Sequence, residues 1–193
     1  MEHVMVVPFW TRRRLLRGAL TPAQALTCGA CATALLLWAR LLFTETSIPI
    51  VLSGVVIAPL AVAAFVDSVC HLLPDPLLLL ASLAAVPPLL FLAASGEWRV
   101  VTLACLTSML ALGVGLALSS SFSFGRGDAK LLAVLGVWLG NPVDLLAAVI
   151  IALVGASSYA ALLLLLRRAT RTTALALGPW LVSGAAVFWV VGA

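Results

Sequence analysis

Five apolar runs govern what this chain can become. Gln24 to Phe43, Ile48 to Val66, Leu77 to Ser95, Val100 to Leu118 and Leu145 to Leu166 together hold one charged side chain, Arg40. Each is close to the ~20 residues that a helix needs to cross the ~30 Å hydrocarbon layer of a bilayer. Lipid offers no partner to a main-chain amide or carbonyl, so such runs must satisfy their own backbone groups, which a helix does. Composition agrees: 64% of residues are hydrophobic and 9% charged, with a mean hydropathy of +1.22, far from the balance of a soluble globule. The expectation is an all-α, polytopic transmembrane bundle of six to seven passes.

The basic residues orient it. Residues 1–23 hold Arg12, Arg13, Arg14 and Arg17 and read as a cytoplasmic basic segment, followed by a transmembrane domain over 24–193. The run Leu131 to Gly140 is short for a pass unless Asp128 to Lys130 is counted with it. A final run extends from about Thr173 to the C-terminus. If the short run crosses, there are seven passes, and nine of the eleven Lys and Arg residues lie inside, with Arg40 and Arg99 the exceptions. Arg40 is then expected to snorkel to the outer interface, and Trp38, Trp98, Trp138 and Trp189 to form an aromatic belt there. Pro87-Pro88 should break the third pass, because proline lacks an amide hydrogen and clashes with the preceding turn. Net charge is +4, but the cations are scattered between runs rather than gathered in a patch, which argues against a nucleic-acid partner. The four cysteines do not form a metal or disulfide pattern and read as small buried hydrophobes.

Two polar islands interrupt the apolar pattern. One is Asp67-Ser-Val-Cys-His71-Leu-Leu-Pro74-Asp75-Pro76. The other is Ser121-Phe-Ser-Phe-Gly125-Arg-Gly127-Asp128-Ala-Lys130. Each presents an acid at a membrane boundary, and the 61 residues between Asp67 and Asp128 suffice for two passes, so both acids return to one side. An acid in that position can be a helix N-cap and nothing more. Two of them facing one another offer a further chemistry. Like charge keeps both from ionising, so the pair holds a single proton, and one carboxylate can activate water while the other protonates a substrate carbonyl.

The neighbours fall into supporting roles. Gly125 and Gly127 permit backbone bends that aim Asp128 inward, or serve capping and flexibility. Gly136 and Gly140 form a GxxxG on the Asp128 face, suited to close helix approach. Lys130 points to another face and reads as an anchor for membrane lipid phosphate. Asp75 and Pro74 read as turn formers. Asp67, His71 and Asp75 could ligate a metal if that island were helical, but Pro74 limits the helix, so no metal and no cofactor is expected.

Asp67 with Leu72-Leu73-Pro74-Asp75, then Gly125-Arg-Gly127-Asp128-Ala-Lys130, resembles the paired motifs of the type IV prepilin peptidases, membrane aspartic proteases of the GxGD type. The stretch Ala176-Leu-Gly178-Pro179-Trp180-Leu-Val-Ser-Gly184 is similar to the segment before the last helix of that family. The resemblance covers about 120 residues in register. It implies catalytic Asp67 and Asp128, site-shaping Gly125, Gly127, Lys130, Pro74 and Asp75, and a prepilin-like substrate whose leader is cut at the cytoplasmic face of a prokaryotic inner or plasma membrane. Longer members carry a two-pair cysteine zinc segment and a methyltransferase activity. That segment is missing here, which implies a cleavage-only form. Two other functions remain open from the residues: a small proton-coupled carrier using the acids as a relay, and an inactive scaffold of a pilus or secretion assembly.

Overall fold

The computed structural model describes residues 22–43, 52–70, 73–121, 125–167 and 176–191. Among them there is no strand. The helices are α1 Pro22–Phe43, α2 Ile57–Cys70, α3 Asp75–Ala84, α4 Val86–Ala94, α5 Trp98–Ser121, α6 Arg126–Leu139, α7 Pro142–Leu165 and α8 Gly178–Val191. The all-α expectation holds. Three rods are long and apolar enough to cross a membrane: Asp75–Ala94, which is α3 and α4 together, Trp98–Ser120, and Pro142–Leu165. Their mean hydropathies are 2.4, 2.1 and 2.3, and most of their surface faces outward, as membrane helices in contact with lipid require.

The rod Asp75–Ala94 breaks where the sequence asks it to. α3 ends and α4 begins at Ala85, whose amide still bonds back to Ala81 and Ser82, and Pro87-Pro88 follow in the first turn of α4. Proline is tolerated there because first-turn amides have no intrahelical partner.

α8 is the centre of the bundle. Of its residues, Leu181, Val182, Gly184, Ala185, Ala186, Trp189 and Val190 are buried, which leaves little surface for solvent or lipid. α1 and α2 cover one side and α7 another; a Cβ on Gly184 would lie 2.9 Å from the Ala152 backbone nitrogen, so α7 and α8 touch backbone to backbone. At 14 residues α8 is about 21 Å long at ~1.5 Å per residue, shorter than the run from Thr173 promised.

α5 packs on α6 through a stripe of small residues. A Cβ on Gly115 would stand 2.8 Å from Ala129 Cα, one on Gly136 would stand 3.0 Å from Ser108 Cα, and one on Gly140 would stand 3.9 Å from Ala104 Cβ. Stepping back along α5 by seven and then four residues matches an advance along α6 by seven and four, so the register is antiparallel and continuous. The GxxxG reading is therefore right for Gly136. Gly140 has a further duty: it sits in the left-handed region at φ 75° and bonds its amide to the Gly136 carbonyl, ending α6. Asn141 then caps α7 by accepting from the Val143 amide at 3.0 Å, with Pro142 in the first helical position.

The helices share two common ends. At one, Ser53 Oγ accepts from Trp189 Nε1 at 3.2 Å, Trp138 packs on Trp189 with ring centroids 5.8 Å apart, and Arg40 Nη1 donates to the carbonyls of Trp189 and Val190. At the other, Asp67 meets Gly178. α6 thus runs from the acid end to the tryptophan end, in the same sense as α1 and α8.

Three expectations are corrected at these ends. Arg40 is 5% exposed and does not snorkel; its guanidinium lies 5.2 Å from the Trp189 ring centre and closes the C-terminus of α8, where carbonyls lack partners and a cation suits the dipole. Trp138 and Trp189 are buried against each other, so only Trp38 and Trp98 remain exposed as a belt would need. Cys31 and Cys105 are exposed rather than buried, because each falls on an outward face of its helix.

Candidate functional site

Asp67 lies near the end of α2, three residues before Cys70, where the helix still carries its side chain inward. It is 5% exposed. Its Oδ2 accepts from the main-chain amide of Gly178 at 3.2 Å, the first residue of α8, so a carboxylate meets the positive end of that helix; Pro179 has no amide hydrogen, and the amides of Trp180 and Leu181 bond the Leu177 carbonyl. The approach is close: a Cβ on residue 178 would lie 2.5 Å from Asp67 Oδ2 and 3.2 Å from Leu73 Cδ1.

Asp128 belongs to the head of α6. Gly125 is the N-cap, extended at φ −70° and ψ 136°, and makes no side-chain cap, which leaves Asp128 as the third helical residue. From there its carboxylate reaches back to the backbone of Gly125, as the acid of a capping box does. The capping role is therefore real, and it coexists with a second one. Asp128 lies ahead of the apolar run of α6, half-buried, and its carboxyl is pushed up to about 6, first by burial and second by the charge of Asp67, against the pull of the Gly125 hydrogen bond. The two acids that the sequence paired feel each other electrostatically across 61 residues of chain.

Leu73 bridges them. It sits in the turn between α2 and α3, with its Cβ 3.2 Å from where a Cβ on Gly127 would stand and its Cδ1 3.2 Å from where one on Gly178 would stand. One side chain thus packs on the residue beside Asp128 and on the residue that holds Asp67. Gly125 takes the capping place that the sequence allowed it, and both glycines also have a spatial role. Gly125 has a negative φ, and neither glycine is among the positive-φ residues; their hydrogens make room for the Asp128 carboxylate, 3.0 Å from a Cβ on Gly125, and for Leu73.

Lys130 pairs with Asp75, Nζ donating to Oδ1 at 2.7 Å, with the side chains 51% and 69% exposed. This ion pair ties the start of α3 to the start of α6. An exposed pair of this kind is worth about 0–1 kcal/mol. Pro74 is the buried, extended N-cap of α3, and Asp75 is the first residue of that helix. Among the described residues no group of three or more His, Cys, Asp or Glu is placed to hold a metal ion. His71 and the segment Phe122 to Phe124 lie outside the described residues.

The arrangement offers one deeply buried carboxylate, anchored by a main-chain amide, and one half-buried carboxyl whose pKa is raised to about 6. Such a pair can hold one proton and supply a base and an acid together. Sequence reasoning missed two of its supports, Leu73 and the amide of Gly178. The signal for the second was available in Gly178-Pro179, a glycine opening the last apolar run with a proline behind it. No protein-family model, curated protein or solved structure matches the chain.

Proposed function

We propose that this protein is a membrane-embedded aspartic endopeptidase that removes the leader peptide of a prepilin-like protein at the cytoplasmic face of a prokaryotic membrane. One observation carries the reading: Asp67 and Asp128, far apart in sequence, share one end of a helical bundle, where Leu73 packs both beside Gly127, next to Asp128, and against Gly178, whose amide bonds Asp67. The motifs around both acids supply the family resemblance and with it the substrate. In this reading one carboxylate withdraws a proton from water while the other protonates the scissile carbonyl, and no metal or cofactor takes part.

The proposed topology follows from the same frame. The N-terminus is cytoplasmic, the acid end faces the cytoplasm, and seven passes carry the chain across, α6 included, since α6 runs from the acid end to the tryptophan end. Reporters fused near Asp67, Gly127 and Arg168 should then report inside, and those near Glu45, Glu97 and Asp144 outside.

The deciding experiment incubates the purified protein with candidate prepilins. Asp67→Asn and Asp128→Asn should each abolish cleavage while the protein still inserts, and Asp75→Asn should retain it. Full turnover by either of the first two variants defeats the dyad; activity that vanishes with EDTA and returns with a divalent metal defeats the metal-free mechanism.

A further inference from the structure

The helices that carry the two acids make little direct contact among the described residues: α2 and α6 each pack on α3 and on α8 instead. The spacing of Asp67 and Asp128 is therefore set by what lies between those helices. At the acid end Leu73, the half-buried residue of the turn from α2 to α3, reaches both sides. A Cβ on Gly127 would lie 3.2 Å from its Cβ and 3.7 Å from its Cδ1, and one on Gly178 would lie 3.2 Å from its Cδ1. Gly127 directly precedes Asp128, and the Gly178 amide donates to Asp67 Oδ2 at 3.2 Å. Two glycines leave open the seat that one leucine fills.

We infer that Leu73 is a positioning residue that sets the separation of the two carboxyl groups, so that they act as a pair. The inference rests on the peptidase reading and adds the side chain that keeps its acids in register. Three observations support it. Leu73 packs on the residue beside one acid and on the residue that bonds the other, and it has no group of its own to take part in the chemistry. Its backbone is preset: the residue before a proline is kept out of the helical region, and Pro74, extended at φ −74° and ψ 117°, starts α3 with a carbonyl that accepts from the amides of Leu77 and Leu78. The start of α3 is in turn tied to α6 by the 2.7 Å pair of Asp75 with Lys130, two residues beyond Leu73. The wedge is thus held from behind while its side chain meets the two glycines. Because the interaction of two charges falls with distance, their separation decides whether the acids share a proton or titrate alone.

The test reads the pair of acids rather than the fold. Leu73→Ala removes the wedge beyond Cβ, and Leu73→Met refills it at similar volume. The infrared carboxyl stretch follows the titration of Asp128, which lies at about 6 partly through the charge of Asp67. Leu73→Ala should lower that titration more when Asp67 is present than in an Asp67→Asn background, whereas a gap that merely admits water lowers it equally in both. Leu73→Met should restore the wild-type value. With a prepilin as substrate, Leu73→Ala should lower kcat by about tenfold or more with KM little changed. An equal shift in the two backgrounds, or no shift in either, overturns the inference. So does an unchanged kcat, which together with a raised KM assigns Leu73 to substrate binding instead. If Leu73→Ala does not insert and fold, Leu73→Val, which also loses the Cδ1 contact, carries the same comparison. If the wild-type protein cuts no prepilin, the peptidase reading fails, and the titration still reports on Leu73.

Discussion

The main-chain amide of Gly178 donates to Oδ2 of Asp67 at 3.2 Å, joining the head of α8 to the tail of α2 across 111 residues of sequence. A buried carboxylate is costly in a bilayer setting, about 2.5–3.5 kcal/mol at a helix centre by insertion scales. The Gly178 amide and the positive end of α8 offset part of that cost and help fix the direction in which the carboxylate points.

Gly178→Ala should therefore act on Asp67. The added Cβ would lie 2.5 Å from Oδ2 and 3.2 Å from Cγ, so the carboxylate must move. Residue 178 is not among the positive-φ residues, so alanine meets no backbone strain there. The expected outcome is cleavage reduced by about a hundredfold or more, since small displacements of catalytic groups have effects of that order, with helical circular dichroism unchanged. Wild-type turnover by this variant would show that the amide does not position Asp67.

The charge of Asp67 is the second cause of the raised pKa of Asp128, after burial. In Asp67→Asn, the carboxyl of Asp128 should titrate below about 6 but stay above 3.8, because burial persists. Infrared difference spectra of the carboxyl stretch measure this directly. In the wild type, a native pKa of about 6 exceeds the ordinary 3.8, so the folded state binds more protons between the two values, and stability falls as pH rises through that window. The singly protonated pair disappears by the same route, so activity should decline as pH rises past about 6, with the apparent value belonging to the pair.

Much of this was legible in the sequence because membrane segments announce themselves by length and polarity. The acids were legible because charged residues beside apolar runs have few structural uses. The break just before Pro87-Pro88 was legible because proline acts locally. What the sequence concealed depends on which face of a helix turns inward. Arg40, Trp138 and Trp189 lie at helix ends where an interface role is the simplest reading, yet all three are buried together because α8 is short and central and its last carbonyls need a donor. Cys31 and Cys105 fall on outward faces that apolar runs, lacking a polar side, do not mark. The partners of Lys130 and the wedge made by Leu73 are tertiary facts with no local signature.

Arg40 supplies a third prediction. Its guanidinium bonds the Trp189 and Val190 carbonyls and lies over the Trp189 ring, 5.2 Å from its centre. Arg40→Met keeps the apolar stem and removes every donor, leaving buried carbonyls at the end of α8 unsatisfied. The loss should be about 1.5–3 kcal/mol, the range for hydrogen bonds involving a charged group. Arg40→Lys should recover part of it, since an ammonium can reach a carbonyl but cannot stack as a planar fork. Thermal unfolding in detergent ranks the three proteins; equal midpoints for Arg40→Met and wild type would show that the cap contributes nothing.

The last prediction tests whether close helix approach holds α6, and with it Asp128, in place. Gly113 and Gly115 lie two residues apart on α5 and face opposite ways. Around Gly113 a Cβ would meet nothing within 4 Å, whereas on Gly115 it would lie 2.8 Å from both Cα and Cβ of Ala129, the residue next to Asp128. A contact with Cα cannot be relieved by a side-chain rotation, so Gly115→Ala must move one helix away from the other. Overpacking of this kind costs about 1–3 kcal/mol. Gly113→Ala adds a methyl group to open space and removes the conformational freedom of glycine in a helix, which should stabilise by about 0.5–1 kcal/mol. The same chemical change two residues apart should therefore shift the unfolding midpoint in opposite directions. Gly115→Ala should also lower cleavage of prepilin by more than its stability loss explains, because the displaced residue adjoins the acid. If both variants melt alike, the small-residue seam does not set the spacing of α5 and α6, and the position of Asp128 must be fixed by Leu73 and the head of α6 alone.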